Sequence, residues 1–436
     1  MLYSLGLVAV ALTLAGCALL FVVVLALVYL LWRHLVLRRD GITTEKRLLA
    51  QPLPPDDALP HVVVQIPVFN ESAIVERSIA SVSRLDWPGD KLHIQICDDS
   101  TDGTTELARG AANRAAAEGI DVVVLHRDDR SEFKAGALRA AMMATPHGYF
   151  TIFDVDYVPA PDFLRRCMAV LLAEPQTAFV QTRPDFLNAA ESIFTRAQAI
   201  ILDFHYGLEQ STRYWAKQML PFNGTCGIWR RAAIEAAGGW RGDTLTEDWD
   251  LSYRAMLKGW RGVFLATVSV PGELPGKLSA WLSQQKRWAA GIGEVSRKVL
   301  PALLLDRNLP RNERWGALFP LGTWFGYVMF PATVFAAIAA MLLVPSVALP
   351  LAWTVYAALV AVTAALFALM LTANRFVKRT TPVGRFLLDF ATVVLLVIYI
   401  SWANFRSLPA TLMGRRRIFV RTPKEGSALS AGRGPR

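Results

Sequence analysis

YFTIFDVDY, residues 149–157, sets an apolar, aromatic and β-branched run directly against two carboxylates one residue apart, Asp154 and Asp156. The run has the character of a buried central strand. The carboxylates fall at its C-terminal edge, where two like charges repel unless a cation lies between them. A divalent ion holding a diphosphate answers both the charge and the oxygen donors, and a solvent-capped polar strand end is the alternative on this stretch alone.

Working outward, four more runs read as strands: HVVVQIPV (61–68), LHIQICDD (92–99), DVVVLHR (121–127) and TAFVQTRP (177–184). Between them Glu71–Leu85, Thr104–Glu118 and Lys134–Met143 have helical patterning. Strand and helix in alternation predict an α/β fold, a mostly parallel central sheet with helices on both faces. Ligands of such sheets bind at the carboxyl ends of the strands, where the acidic clusters of this chain fall.

The flanks are different. The chain has 436 residues, 53% hydrophobic and 19% charged, and a mean hydropathy of +0.32, which points to an integral membrane protein. Leu2 to Trp32 is almost uncharged and, at about 1.5 Å per residue, long enough to cross a ~30 Å hydrocarbon core. Arg33, His34, Arg38 and Arg39 follow, so the positive-inside rule places the polar middle in the cytosol. The net charge of +10 sits largely beside apolar segments, favouring membrane lipids over nucleic acid as a partner. Phe319–Val344 and Leu351–Thr372 read as an antiparallel membrane pair. Phe386–Trp402 reads as an interfacial or re-entrant helix, because Asp389, Asn404 and Arg406 flank it; a further span is the alternative. The expected division is an anchor (1–39), a cytosolic domain (40–300), membrane segments (301–413) and a basic tail (414–436) with a disordered end. Cys17, Cys97, Cys167 and Cys226 have no metal-ligand spacing and read as free thiols. An Ala- and Arg-rich composition suits a bacterial inner membrane.

Chemistry-bearing residues punctuate the middle. Gln65, Pro67, Asn70 and Glu71 close the first strand, and Asp98 and Asp99 close the second, where a carboxylate can accept hydrogen bonds from a nucleoside. Lys134 opens a helix against the macrodipole, which calls for an anion beside it. Asn223-Gly224-Thr225 forms a small-residue loop expected to lead into a helix. Glu247 and Asp248 begin a helix, where acids are ordinary capping residues; the functional reading is that Asp248 takes a proton from an attacking hydroxyl. Gln284, Arg287 and Trp288 follow on an amphipathic helix, with Arg287 suited to a leaving diphosphate and Trp288 to a sugar face. His126 is expected to be structural.

Taken together, QIPVFNE, DDSTDGT, FKAGAL, DVD, FNGT, TED and QQKRW resemble the processive family 2 glycosyltransferases, the group of cellulose, hyaluronan and plant mannan synthases. The resemblance runs from about residue 60 to 290. A shorter one, RRRIFVRTPK, is similar to the FxVTxK gating loop of cellulose synthases, with Phe419, Thr422 and Lys424 in place and Arg421 where valine is usual.

The resemblance implies a Rossmann-like glycosyltransferase A-type domain and an inverting hexosyl transfer. The nucleotide would lie near Gln65, Pro67, Glu71, Asp98, Asp99 and Lys134. Its diphosphate would sit on Mg²⁺ or Mn²⁺ at Asp154 and Asp156. Glu247 and Asp248 would be catalytic, with Asp248 the base, and Asn223, Gln284, Arg287 and Trp288 would hold acceptor and leaving group. The expected product is a β-linked polysaccharide, with the membrane helices as its exit route. UDP-glucose is the favoured donor and GDP-mannose the alternative. A glycolipid synthase acting on ceramide or diacylglycerol is the rival, and an inactive scaffold or transporter a minor one.

Overall fold

A computed structural model describes residues 1–307 and 309–412; Phe419, Thr422 and Lys424 lie outside them. The chain divides into two units. Among the described residues, one comprises Arg39–Glu191 and Arg213–Leu318; the other comprises Met1–Arg38, Ser192–Thr212 and 319–412. Residues 192–212 and the boundary near 318 thus differ from the division expected above, because 192–212 packs with apolar helices instead of with the sheet.

The first unit is built on a seven-stranded sheet of order β3-β2-β1-β4-β6-β5-β7. The strands are β1 (Val62–Val68), β2 (Leu92–Asp98), β3 (Asp121–His126), β4 (Tyr149–Ile152), β5 (Thr177–Phe186), β6 (Gly227–Arg230) and β7 (Arg261–Gly272). The pairs β1–β2, β2–β3, β1–β4 and β5–β7 are parallel, while β6 runs antiparallel to both β4 and β5. Helices cover both faces. Val75, Ile79 and Val82 of helix Val75–Val82 and Leu164, Met168 and Leu171 of helix Phe163–Ala173 join Val62, Val64, Ile66, Ile94 and Ile96 in one core. Ala137 and Ala141 of helix Phe133–Met143 pack with Cys97 and Leu125 in another cluster. Each large aliphatic side chain so buried contributes about 1.5–3 kcal/mol relative to exposure.

Three local readings change. Glu71–Leu85 is regular helix only over Val75–Val82, since 71–74 form a turn entered through Asn70 at φ 55°. YFTIFDVDY is a strand only to Ile152, so Asp154 and Asp156 stand on the loop beyond it. Asn223-Gly-Thr leads into β6, not a helix: Cys226 at φ 58° redirects the chain into the antiparallel strand. Pro67 fits inside a central strand because the β1–β4 ladder ends at Gln65, so the missing N–H forfeits no bond there.

Among the described residues, four helical stretches are long and apolar enough to cross a membrane: Leu2–Leu49, Phe325–Leu343, Pro345–Phe376 and Val383–Arg406. The protein is a membrane protein. Phe386–Trp402 lies within one continuous helix, Val383–Leu412. Of the three polar residues that suggested an interfacial position, Arg406 is exposed and the other two have internal partners. Asp389, fully buried, accepts two hydrogen bonds from Arg196 Nε at 3.0 Å. Asn404 Nδ2 donates to the Ile400 carbonyl. The helix therefore has the length of a full span, and Asp389 and Asn404 do not require a surface.

Candidate active site

The loops that follow β1, β2 and β4 meet at the carboxyl edge of the sheet. Asn70, held left-handed, donates its N–H to Ser100 Oγ (2.9 Å) and accepts from Thr101 N (2.8 Å), which ties the first two loops together. The two acids of β2 then separate in role. Asp98 is fully buried: Oδ1 accepts from Ser100 N, and Oδ2 accepts from Thr105 Oγ1 (2.6 Å) and faces His126 Nδ1 (2.7 Å). Burial pushes its carboxyl up, but these hydrogen bonds outweigh that and hold it below its usual range. Asp98 therefore shapes the loop, and His126 is structural. Asp99 accepts a bidentate pair from Arg127 Nε and Nη2 at 2.7 and 2.6 Å, a partner the sequence reading did not single out. Gln65 lies mid-strand, donating to Gln95 Oε1 (3.0 Å), with its own buried carboxamide oxygen unpartnered. Glu71 is buried where the turn begins.

Lys134 Nζ donates to Asp154 Oδ1 at 2.5 Å and to the Gly224 carbonyl at 2.8 Å. The anion that its helix-start position calls for is thus within the chain. Glu132 and Phe133, both at positive φ (57° and 47°), turn the backbone into this helix, and Glu132 is braced by Arg139 and by the Gly242 N–H. Asp154 is about 40% exposed at its side chain, whereas Asp156 is buried and accepts from the Glu273 N–H at 3.2 Å. Glu273 in turn pairs with Arg77 at 2.7 Å.

The Asn223–Thr225 loop is fixed from beneath by Gln181 of β5. Its Oε1 accepts from Asn223 N, and its Nε2 donates to the Thr225 carbonyl, each at 2.9 Å. Thr225 Oγ1 accepts from Asp154 N. Gly224 has φ 76°, and a Cβ there would stand 2.9 Å from Asp248 Oδ2 and 3.6 Å from Lys134 Nζ. Gly224→Ala is accordingly expected to lower the rate of transfer on the order of 10²-fold, through displacement of the carboxylate, together with a drop in melting temperature. Transfer at the wild-type rate would show that this loop does not position Asp248.

Asp248 lies in the first turn of helix Glu247–Met256, with Oδ1 accepting from Trp249 N (2.9 Å) and Oδ2 toward Gly224. Burial, and then the neighbouring Glu247 carboxylate, push it up to about 7, against the pull of Lys134. Helix Leu278–Leu305 carries Gln284, Arg287 and Trp288, all half-buried. It reaches the same place because Gly291 admits the Thr246 side chain and Glu294 Oε2 accepts from Leu245 N at 2.8 Å. Burial lowers Arg287 while Glu247, Asp154 and Asp248 draw it up. Lys134 is lowered by burial but held above its ordinary value by Asp154, Glu247 and Asp248. Burial, and after it the carboxylates of Asp154 and Asp156, push the Cys226 thiol well up, which locates both acids beside the same loop. The motifs thus converge: Lys134 and Arg287 share the carboxylates of Asp154, Glu247 and Asp248, and Asp156 stands on the same loop as Asp154.

A protein-family model, glycosyltransferase-like family 2, matches residues 60–291, just over half of the chain and the whole stretch that builds this cluster. The chain belongs to this glycosyltransferase family. This family 2 enzyme is 40% identical over 278 residues to glucomannan 4-β-mannosyltransferase 1 of Oryza sativa subsp. japonica, covering 61% of the chain and 53% of that protein. It is 36% identical over 336 residues to glucomannan 4-β-mannosyltransferase 9 of Arabidopsis thaliana, covering 72% and 62%. The chain thus spans little more than half the length of these relatives. The mannosyltransferase PcManGT of Pyrobaculum calidifontis, solved with GDP-Man and Mn²⁺, superposes with a TM-score of 0.54 at 21% identity, over 90% of this chain and 98% of that one. That likeness is one of fold. The sheet is a Rossmann-like glycosyltransferase A-type sheet.

Proposed function

We propose that this glycosyltransferase transfers mannose from GDP-mannose, with inversion, onto a growing β-linked polysaccharide. The sugar rests on the relatives' names: they are mannosyltransferases, and none of those cited lends support to the UDP-glucose favoured from the sequence. They are also plant proteins, so the bacterial inner membrane expected from composition has no support among them; membrane residence alone carries forward. The observation that carries the chemistry is Asp248, pushed up to about 7 and aimed across Gly224 at the Lys134–Asp154 pair.

Asp154 and Asp156 fit a divalent cation. Their donors are oxygens, as Mg²⁺ and Mn²⁺ require. When bound, the ion would neutralise the diphosphate of the donor and its developing charge. Arg287 and Lys134 add fixed positive charge at the same place. Asp248 accepts the proton of the acceptor hydroxyl as that oxygen attacks the anomeric carbon opposite the diphosphate. A single displacement converts an α-linked donor into a β-glycoside and needs one base. Trp288 offers an aromatic face to the acceptor sugar.

Membranes containing the protein, supplied in parallel with labelled GDP-mannose and UDP-glucose and a divalent ion, test the reading. Label from GDP-mannose should enter a water-soluble or insoluble polymer that β-mannanase degrades. Label confined to organic solvent would make the enzyme a glycolipid synthase, and label taken only from UDP-glucose would overturn the donor.

A further inference from the structure

Three of the six histidines in the chain meet at the edge of the sheet opposite the active site. His61 immediately precedes β1, His93 is the second residue of β2, and His147 lies two residues before β4. These three strands are adjacent and parallel, in the order β2-β1-β4, so their amino ends place one imidazole each side by side. Along the seven residues of β1, at about 3.3 Å per residue, the cluster is roughly 20 Å from the catalytic edge.

The rings are nearly parallel, with centroids 4.2 Å apart for His93 and His147, 4.7 Å for His61 and His147, and 5.1 Å for His61 and His93. One nitrogen from each lies within 4.8 Å of the other two. His61 Nδ1 and His93 Nε2 are 2.8 Å apart, a separation that requires one shared proton between two lone pairs. On its other side, His93 Nδ1 lies 2.6 Å from Asp121 Oδ2, its register partner on β3. A carboxylate in that position fixes the Nδ1–H tautomer and leaves Nε2 as a lone pair aimed into the cluster, the second-layer arrangement of histidines that bind metals.

The geometry points to a second metal site in this protein, a tris-imidazole site for a zinc-class transition metal, formed by His61, His93 and His147 and oriented by Asp121. The ion takes the place between His61 and His93 that the shared proton holds, and that proton moves to the far nitrogen of the His61 ring. At metal–nitrogen distances of about 2.0–2.1 Å the two nitrogens separate to about 3.3 Å, a small rotation for the exposed His61 ring, while the His147 ring turns out of its stack to point a lone pair at the ion. Three neutral nitrogens select Zn²⁺, Co²⁺ or Ni²⁺ over the Mg²⁺ or Mn²⁺ suited to Asp154 and Asp156. The bound ion clamps the amino ends of three central strands, and water fills its remaining position.

The test uses the full chain, purified through a tag without histidine and carrying Asp154→Asn and Asp156→Asn so that the acidic pair does not contribute. Zn²⁺ titrated calorimetrically should bind at one equivalent and should raise the melting temperature. Co²⁺ should give the absorption bands of a nitrogen-ligated ion. His93→Ala and, independently, His61→Ala should weaken Zn²⁺ by about tenfold or more, and Asp121→Asn by a smaller factor. His61 is exposed, so its alanine variant keeps the fold and decides the matter if His93→Ala does not fold. Zn²⁺ affinity unchanged by His61→Ala, or no saturable binding by the parent, would overturn the proposal.

Discussion

Asp248→Asn is expected to lower kcat by 10²–10⁴-fold, the usual contribution of a positioned general base, while leaving donor binding within a few-fold of wild type. The asparagine keeps the shape of the side chain and can still accept the Trp249 N–H that holds Oδ1. It cannot accept the hydroxyl proton. The pH profile should carry the same signature. A base pushed up to about 7 is protonated below that pH, so kcat/KM of the wild type should rise as pH increases through about 7 and level off above it. Initial rates between about pH 5 and 9 check this. A limb near the ordinary carboxylate value, or an asparagine variant that turns over normally, would move the base elsewhere.

Asp154→Asn and Asp156→Asn should each lower kcat/KM on the order of 10³-fold, and EDTA should silence the wild type, since several kcal/mol of charge stabilisation depend on the ion. Asparagine is the informative choice at both positions. At 156 it retains an oxygen for the Glu273 N–H, and at 154 it retains a partner for Lys134, so charge is removed with little disturbance of the loops. The loss should appear as metal-dependent GDP binding in equilibrium titration. Metal-independent binding of undiminished strength in either variant would remove that residue from the metal site.

Much of this was legible locally. Four of the seven strands announce themselves as apolar runs, two of them, β2 and β4, ended by acids, and β5 by its apolar start. The helix starts at Lys134 and Glu247 follow from patterning, and Gln284, Arg287 and Trp288 from an amphipathic helix. Lys134 is instructive: a cation against the macrodipole did need an anion, but that anion is Asp154, twenty residues on. What stayed hidden depends on pairing at a distance. Asp98 and Asp99 look alike in sequence, yet one is consumed by Ser100, Thr105 and His126 and the other by Arg127. The four residues of β6 are too few to show a period, and its antiparallel direction is set by Cys226 and by neighbours on both sides. Gln181, a buried amide inside an apolar strand, was the one available sign that the Asn223–Thr225 loop is held from below. Likewise Asp389 looked like a surface residue only because its partner, Arg196, is 193 positions away.

The central claim is a division of labour: Asp154 and Asp156 bind, and Asp248 reacts. Metal-dependent binding of GDP-mannose and its turnover, measured side by side on Asp248→Asn and Asp154→Asn, tests it most directly. The account predicts that Asp248→Asn binds the donor in the presence of Mn²⁺ without turning it over, and that Asp154→Asn loses the metal-dependent part of binding. Loss of donor binding in Asp248→Asn, with intact metal-dependent binding in Asp154→Asn, would contradict it.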